Sequence, residues 1–220
     1  MKEQNKNEWN ELAIEVDAQT VKQKLYDNLL FDFCGDVSNK RLLDFGCGSG
    51  EIALRAQKNG ANVNAYDLSE NMRDLAIKKL GKVNVYDKVE EIPSNGFDIV
   101  FSNLVICIVD KAQVTEILDK IFRSLINNGI AYVGFCNPLS YNISESTLQK
   151  RVISGEPYSK EHEYRKLIKE GQFEITEKHR PLEFYEKAFL DNNFVIGDVR
   201  ISKEGSDFII YKLKKIKHEK

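Results

Sequence analysis

The sequence has little of what marks a secreted, membrane or metal-binding protein. Its four cysteines are widely separated among 220 residues, form no C-x-x-C pair and have no histidine at zinc-ligand spacing. We therefore expect reduced thiols, with neither a disulfide framework nor a metal site. The longest apolar runs, such as 104–109, are far below the ~20 residues of a membrane-spanning helix. The polar start, 1–7, is unlike a signal peptide, so we expect a cytoplasmic protein.

A strong charge of either sign is also missing. The formal net charge is −2 and the pI is about 6.0, which argues against a general attraction to nucleic acid or to an anionic membrane. One basic cluster lies at 212–220, and such a lysine-rich end is more typical of a solvated tail than of an RNA contact. We expect no nucleic-acid partner and no membrane partner.

A glycine turn between a buried strand and a helix is the most informative segment. Residues 41–45 form an apolar run suited to a strand, glycines occupy 46, 48 and 50, and a helical pattern starts at Glu51. Glycines permit positive φ angles and let a ligand approach the backbone closely. The segment therefore predicts a ligand-binding turn, with its contacts at Asp44, Gly46, Cys47 and Gly48.

The charges beside this turn favour a cationic ligand. A dinucleotide fingerprint, G-x-G-x-x-G, would place glycine at 51, where the chain has Glu51. Together with Asp44, this carboxylate would repel a pyrophosphate but suit a sulfonium or an ammonium group. S-adenosylmethionine (SAM) carries both cations and no phosphate, so it fits this pattern better than NAD.

A second strand, 62–66, ends at an acidic residue with the spacing of a ribose ligand. Asp67 lies 21 positions after Gly46, close to the ~20 expected for a carboxylate that binds the ribose hydroxyls. The next helix begins at about Glu70, and either Ser69 or Asp67 is expected to cap it. This second acid strengthens the interpretation of the glycine turn as a cofactor site.

Three segments, 43–50, 66–69 and 96–103, resemble in order and spacing the motifs of class I SAM-dependent methyltransferases. The resemblance covers roughly residues 20–200. It implies an α/β fold with a doubly wound, Rossmann-like, mostly parallel seven-stranded sheet, an antiparallel C-terminal strand and a small cover insert after strand five. We expect one domain over 1–220, with an N-terminal helical cap at 1–35 and a substrate-cover insert at 139–180.

The resemblance also implies contacts for the adenine ring. An acid just past the third strand accepts a hydrogen bond from the adenine amino group in this family, and the next backbone N–H meets the ring. Asp87 and Lys88 hold these positions, although Asp87 could instead cap a turn. Leu68 and Met72 are expected to give the ring its apolar faces, or else to belong to the core.

Periodicity and turn residues predict the remaining elements. Helices are expected at 8–33, 51–58, 70–80, 111–125 and 182–192, and strands at 83–86, 97–102, 130–135, 173–180, 194–196 and 207–213. Because ligands of open parallel sheets lie at the carboxyl ends of the strands, Ser102 and Asn103 are expected to face the transferred methyl group. Trp9 and Tyr26 are expected to be core aromatics, with a place in the substrate pocket as the alternative.

The predicted function is methyl transfer from SAM to a small molecule. A hydroxyl or ammonium acceptor would need a general base, for which we select His179, with His162 as the second candidate, while a structural role for either remains open. The alternatives are an RNA or protein methyltransferase and a non-catalytic SAM-binding regulator. The sequence does not identify the acceptor. It also leaves open whether the protein is a monomer or a homodimer.

Overall fold

Apolar strands that alternate with amphipathic helices make up most of the chain. A computed structural model describes residues 9–11, 13, 22–152, 154–170, 172–202 and 207–216. The helices are α1 (Asn28–Cys34), α2 (Glu51–Lys58), α3 (Glu70–Leu80), α4 (Lys111–Ser124) and α5 (Leu182–Asp191). The strands are β1 (Arg41–Phe45), β2 (Asn62–Tyr66), β3 (Val85–Tyr86), β4 (Phe97–Asn103), β5 (Leu125–Cys136), β6 (Gln149–Arg151), β7 (His162–Ile168), β8 (Phe173–His179), β9 (Phe194–Ile201) and β10 (Phe208–Lys215).

Seven strands form the central sheet, in the order β3-β2-β1-β4-β5-β10-β9. Strands β1 to β5 pair in parallel, and β10 runs antiparallel to both of its neighbours. The prediction of a mostly parallel seven-stranded sheet with an antiparallel C-terminal strand is therefore confirmed. The chain steps outward from β1 to β3 and returns to β4, so the strand order reverses between β1 and β4. Ligands of such sheets bind at that reversal.

Several element boundaries differ from those predicted. A 3₁₀ turn over Lys82–Asn84 leaves only two residues for β3. The predicted turn at 127–129 lies inside β5, which begins directly after α4 because Leu125 already has an extended backbone. Part of the predicted helix at 8–33 lies outside the described residues; Lys22–Cys34 is helical and includes a π-helical turn at Gln23–Asp27.

The predicted cover insert, residues 139–180, contains a second small sheet. Strands β6, β7 and β8 pair antiparallel in that order, whereas the sequence pattern predicts only the last of them. A buried ion pair, 3.0 Å from Arg151 Nη2 to Asp207 Oδ1, joins the cover to the start of β10. The insert therefore has its own regular structure and a fixed attachment to the central sheet. No helix in the described ranges is long and apolar enough to span a bilayer.

Candidate active site

A cavity opens at the carboxyl ends of β1, β2 and β4, where the strand order reverses. This first cavity has about 1120 Å³ of empty space, including its open mouth. Eight of the eleven residues predicted to bind the cofactor line it: Asp44, Gly46, Cys47, Gly48, Asp67, Leu68, Met72 and Asn103. The fold thus brings together three segments that are separated in the sequence, 44–48, 67–72 and Asn103.

The glycine turn forms the floor of this cavity. Gly46 and Gly48 have φ angles of 79° and 54°, which residues with a Cβ atom rarely adopt. A Cβ at Gly46 would lie 2.3 Å from Val105 Cγ2, so that position also lacks space. The amides of Gly46 and Cys47 both donate to the carbonyl of Tyr66, at 2.7 and 3.0 Å, which fixes the turn to the end of β2.

Asp67 is held in place by two backbone amides. Its Oδ2 accepts from Gly48 N and its Oδ1 from Ser69 N, each at 2.9 Å. Burial raises the pKa of Asp67, while these amides partly oppose the rise. Each carboxylate oxygen retains a lone pair for a ligand, because such an oxygen can accept two hydrogen bonds. Ser69 caps α3 by accepting from Met72 N, which settles the choice between the two candidate caps.

Two polar atoms on the cavity wall lack partners within the described part of the chain. They are Asp44 Oδ2 and Asn103 Nδ2, and the Asp44 residue is only 1% exposed. The other Asn103 atom, Oδ1, accepts from the Tyr26 hydroxyl at 2.6 Å. The pKa of Asp44 is raised to about 7, mainly by burial. Nearby Lys22 opposes this rise, and the carboxylates of Asp27 and Asp67 add to it. Unpaired buried polar atoms are costly, so these two atoms indicate a polar ligand.

Three predicted cofactor residues lie elsewhere. Ser102 is buried and lines neither described cavity, because successive strand residues point to opposite faces and Asn103 takes the cavity side. Asp87 and Lys88 are exposed, and their amides donate to Glu91 Oε2 at 3.0 and 3.4 Å. The Asp87 carboxylate pairs with Lys82, which lowers its pKa. The adenine contacts of these two residues stay a prediction.

The charge argument from Glu51 is weaker in the structure than in the sequence. Its carboxylate pairs with Lys79 Nζ at 2.6 Å across the α2–α3 contact, so its charge is locally balanced. Asp44 and Asp67 are therefore the acidic groups that favour a cation at the cavity wall.

A second cavity adjoins the first and has about 670 Å³ of empty space, which again includes its open mouth. The two share four wall residues: Trp9, Lys22, Leu104 and Ile108. Trp9 thus lines both cavities, contrary to the preferred prediction of a core position, whereas Tyr26 is fully buried as predicted.

Leu104 has a φ of 60°, a strained angle for a leucine, directly after β4. Sequence reasoning missed Lys22 and Leu104, since neither belongs to a motif.

A buried polar cluster lies at the wall of the second cavity. Lys166 Nζ is 2.7 Å from Glu177 Oε2 and 3.0 Å from Cys136 Sγ, and the Tyr164 hydroxyl donates to the same carboxylate oxygen. Burial opposes the charge on Lys166, but Cys136 and Glu177 raise its pKa above the ordinary value. Burial likewise opposes ionisation of Glu177, yet Lys166 holds its pKa below the ordinary value. The pair is thus a carboxylate with an ammonium.

The fold also gathers three groups that could bind a metal. The ligand atoms of Cys107, Cys136 and Glu177 all lie within 4.8 Å of one another, an arrangement that their spacing in the sequence conceals. The Lys166 ammonium contacts two of them and already supplies a positive charge there. We therefore retain the expectation that the protein has no metal site as a prediction.

His179, the predicted base, lines neither described cavity. Its Nε2 lies 2.7 Å from the Tyr158 carbonyl, so that nitrogen carries a proton, and the ring packs against Tyr141, Tyr158 and His162. Burial lowers the pKa of His179. His179 is thus packed among aromatic rings. Its catalytic role stays a prediction, with no geometric argument for it.

The first cavity fits SAM in four respects. It has a glycine floor for close backbone approach, a ribose-spaced carboxylate in Asp67, an unpaired buried carboxylate oxygen in Asp44, and apolar side chains in Leu68 and Met72. A dinucleotide would meet the carboxylates of Asp44 and Asp67. Among the described residues that line this cavity, Lys22 is the one cation, and it is paired with Asp27. The donor set therefore suits a cationic nucleoside.

Comparisons with known proteins agree with this interpretation. Residues 43–133 match a family model described as a methyltransferase domain. A Bacillus subtilis (strain 168) protein, YqeM, itself only provisionally named a methyltransferase, is 35% identical over 100 residues, which cover 41% of this chain and 40% of that protein. The ubiquinone biosynthesis O-methyltransferase of Rickettsia canadensis (strain McKiel) is 29% identical over 62% of this chain and 60% of its own length. The chain thus spans less than two thirds of either relative.

Solved structures extend the likeness in fold to nearly the whole chain. A SAM-dependent methyltransferase from Clostridium acetobutylicum ATCC 824 superposes with a TM-score of 0.63 over 93% of this chain and 95% of that one. Its sequence identity is 16%, so this likeness shows the fold alone. Together with the ordered motifs and the match of residues 43–133 to a methyltransferase domain, this shared fold supports the resemblance to class I SAM-dependent methyltransferases that the sequence predicts.

Proposed function

We propose that this chain is a SAM-dependent methyltransferase whose methyl acceptor is a small molecule. The observation that carries the proposal is the pair of adjoining cavities. The first has the donor set for SAM, and the second is bounded by the cover insert through Lys166, Ile168 and Ile175. A shared wall at Trp9 and Leu104 brings a cofactor and an acceptor side by side.

The residues of the first cavity would hold the cofactor by charge and shape. When bound, SAM supplies a methyl group activated by its sulfonium. Asp67 would accept hydrogen bonds from the ribose hydroxyls, Asp44 Oδ2 would balance the ammonium group, and Leu68 and Met72 would contact the adenine. Asn103 Nδ2 would donate to an acceptor atom of either molecule.

Methyl transfer from a sulfonium is a direct displacement that releases a neutral thioether. Alignment of the two molecules and exclusion of water supply most of the acceleration, so the reaction needs no dedicated catalytic side chain. Leu104, Val105 and Ile108 give the junction an apolar wall that keeps water away. A general base such as His179 is required only for an acceptor that must lose a proton.

A small acceptor is favoured by the walls of the second cavity, which are mostly apolar and carry the Lys166–Glu177 pair. In addition, the net charge of −2 offers no broad attraction to RNA. The Rickettsia canadensis relative is named for a step in ubiquinone biosynthesis. A cytoplasmic location and a monomeric or homodimeric state stay predictions.

The proposal is tested by following a radiolabelled methyl group. The purified protein is incubated with methyl-labelled SAM and a cell extract, which is then separated into small molecules, RNA and protein. We expect label in the small-molecule fraction only. Label in the RNA or protein fraction would overturn the small-molecule acceptor, and no transfer to any fraction while SAM binds would favour the regulator.

A further inference from the structure

We propose that Glu177 determines acceptor specificity, by accepting a hydrogen bond from a neutral, mostly apolar acceptor that carries a hydroxyl or N–H group. The inference deepens the proposed function and rests on it, since it concerns the acceptor side of the same reaction.

The starting observation is an unpaired oxygen on a charged, buried side chain. Glu177 lines the second cavity and is 1% exposed. Its Oε2 contacts Lys166 Nζ and accepts from the Tyr164 hydroxyl, and the nearby Cys136 thiol also stabilises the carboxylate. Its Oε1 has no hydrogen-bond partner within the described part of the chain. A carboxylate oxygen left without a donor in a buried site is costly. A ligand that donates a proton to Oε1 would remove that cost.

Charge balance in the cavity argues that the acceptor is neutral. The Lys166 ammonium and the Glu177 carboxylate compensate each other at 2.7 Å, and Lys22 is paired with Asp27 at 3.1 Å. Glu170, the other charged residue on this wall, also has an interaction partner. A charged acceptor would bring a further charge to a buried pair that is already compensated, which costs more than it gains. The Lys166–Glu177 pair therefore selects a dipolar group, such as a hydroxyl or N–H.

The remaining walls argue that the rest of the acceptor is apolar. Five carbon-rich side chains surround the cavity: Leu148, Ile168, Phe173, Ile175 and Phe208. Apolar pockets with one or two placed polar groups bind ligands through apolar area and orient them through the polar contact. Glu177 would thus fix the orientation of the acceptor, with its reacting atom toward the shared wall at Leu104.

Glu177 is held rigidly enough for this role. It lies on β8 opposite Tyr164 of β7, the residue whose hydroxyl donates to it. The neighbouring amide of Lys178 donates to the Cys107 carbonyl at 3.0 Å, which anchors β8 to the loop that follows β4. A preorganised acceptor oxygen discriminates more strongly than a mobile one.

The test compares a ligand that has a proton donor with one in which a methyl group replaces that proton. 4-Propylphenol and its methyl ether, 4-propylanisole, are each titrated into the full-length protein saturated with S-adenosylhomocysteine, so that no turnover occurs. We expect the phenol to bind at least about tenfold more tightly than the ether, because the ether leaves Glu177 Oε1 unpaired. Equal affinities, or no binding of either ligand to a protein that binds S-adenosylhomocysteine, would overturn the inference.

Matched variants locate the effect. Glu177→Gln is expected to reduce the preference for the phenol to within about twofold, while Glu174→Gln, an exposed glutamate on the same strand, leaves it unchanged. Ile168→Phe narrows the cavity without touching the ion pair and should weaken both ligands. An unchanged preference in Glu177→Gln would exclude the residue as the specificity determinant.

The affinity for S-adenosylhomocysteine distinguishes a failure of the acceptor inference from a failure of the proposed function. If every variant binds S-adenosylhomocysteine normally and only the phenol preference fails to appear, the acceptor inference is wrong and the cofactor assignment stands. If the wild-type protein does not bind S-adenosylhomocysteine, the proposed function fails, and the inference fails with it.

Discussion

At the scale of single residues, the two carboxylates of the first cavity differ in what surrounds them. Asp67 is oriented by the amides of Gly48 and Ser69, so its position is fixed before any ligand binds. Asp44 keeps one buried oxygen without a partner within the described ranges, and burial raises its pKa to about 7. Asp67 is therefore oriented to accept hydrogen bonds, whereas the ionised form of Asp44 would be stabilised by a positive charge on a ligand.

Replacing Asp67 by alanine removes the proposed ribose contacts and leaves the amides of Gly48 and Ser69 without their acceptor. We expect the affinity for S-adenosylhomocysteine to fall at least about 100-fold, together with a modest loss of thermal stability. Calorimetric titration and thermal unfolding measure the two effects. Asp74→Ala, an exposed position on α3, serves as the control; unchanged affinity in Asp67→Ala would remove the ribose assignment.

Protonation of Asp44 should make cofactor affinity depend on pH. In the free protein its pKa is raised to about 7, and a nearby ligand ammonium would lower it, so the complex holds fewer protons than the free protein. Affinity for SAM should therefore rise about tenfold between about pH 6 and about pH 8, with proton release on binding at the lower pH.

Calorimetry in buffers of different ionisation enthalpy measures this proton release. In Asp44→Asn the pH dependence should disappear and the affinity should be low throughout. A wild-type affinity that is flat across this range would show that Asp44 does not face the ammonium.

At the scale of elements, a few buried side chains attach the cover insert to the central sheet. Arg151 and Asp207 pair at 3.0 Å with both side chains almost fully buried, and Gln149 also donates to Asp207. Arg180 donates to the carbonyls of Ile106 and Val109 in the loop after β4. Because that loop lines both cavities, the position of the cover affects the shape of both.

Removing one partner of the buried ion pair should destabilise the protein strongly. Arg151→Leu leaves the Asp207 carboxylate buried without its guanidinium, and we expect a loss of about 3–5 kcal/mol in the free energy of unfolding. Urea unfolding measures the loss. Lys150→Leu, on the exposed face of the same strand, should change it by less than about 1 kcal/mol. Equal effects of the two substitutions would contradict the role of the pair.

Gly134 is required for space rather than for backbone freedom. A Cβ there would lie 1.6 Å from Tyr26 Oη and 2.6 Å from Asn103 Oδ1, the two atoms of a buried hydrogen bond. We expect Gly134→Ala to cost about 1–3 kcal/mol in the free energy of unfolding. In the double variant with Tyr26→Phe the clash is partly relieved, so denaturant unfolding should show less than the sum of the single effects. Strict additivity would contradict this contact.

At the scale of the whole molecule, the parts predictable from sequence were those specified by short segments. The glycine turn and Asp67 depend on residue type and on a spacing of 21 positions, and both lie where expected. The central sheet follows from apolar strands between amphipathic helices, and its topology is confirmed. Such features need no knowledge of contacts between distant segments.

Features that depend on distant contacts were missed. Lys166 and Glu177 look like solvated charges in the sequence, and only the pairing of β7 with β8 and their packing on Cys136 bury them together. The Arg151–Asp207 pair joins residues 56 positions apart. The adenine contact of Asp87 comes from a family pattern; Asp87 is exposed after a two-residue β3, and its contact stays a prediction.

The central claim is that the first cavity binds SAM rather than a dinucleotide. Calorimetric titration of the purified protein with SAM, S-adenosylhomocysteine and NADH tests it most directly. The account predicts saturable heat at micromolar ligand for the first two and none for NADH, since Asp44 and Asp67 would face a pyrophosphate. Binding of NADH without binding of SAM would contradict the account.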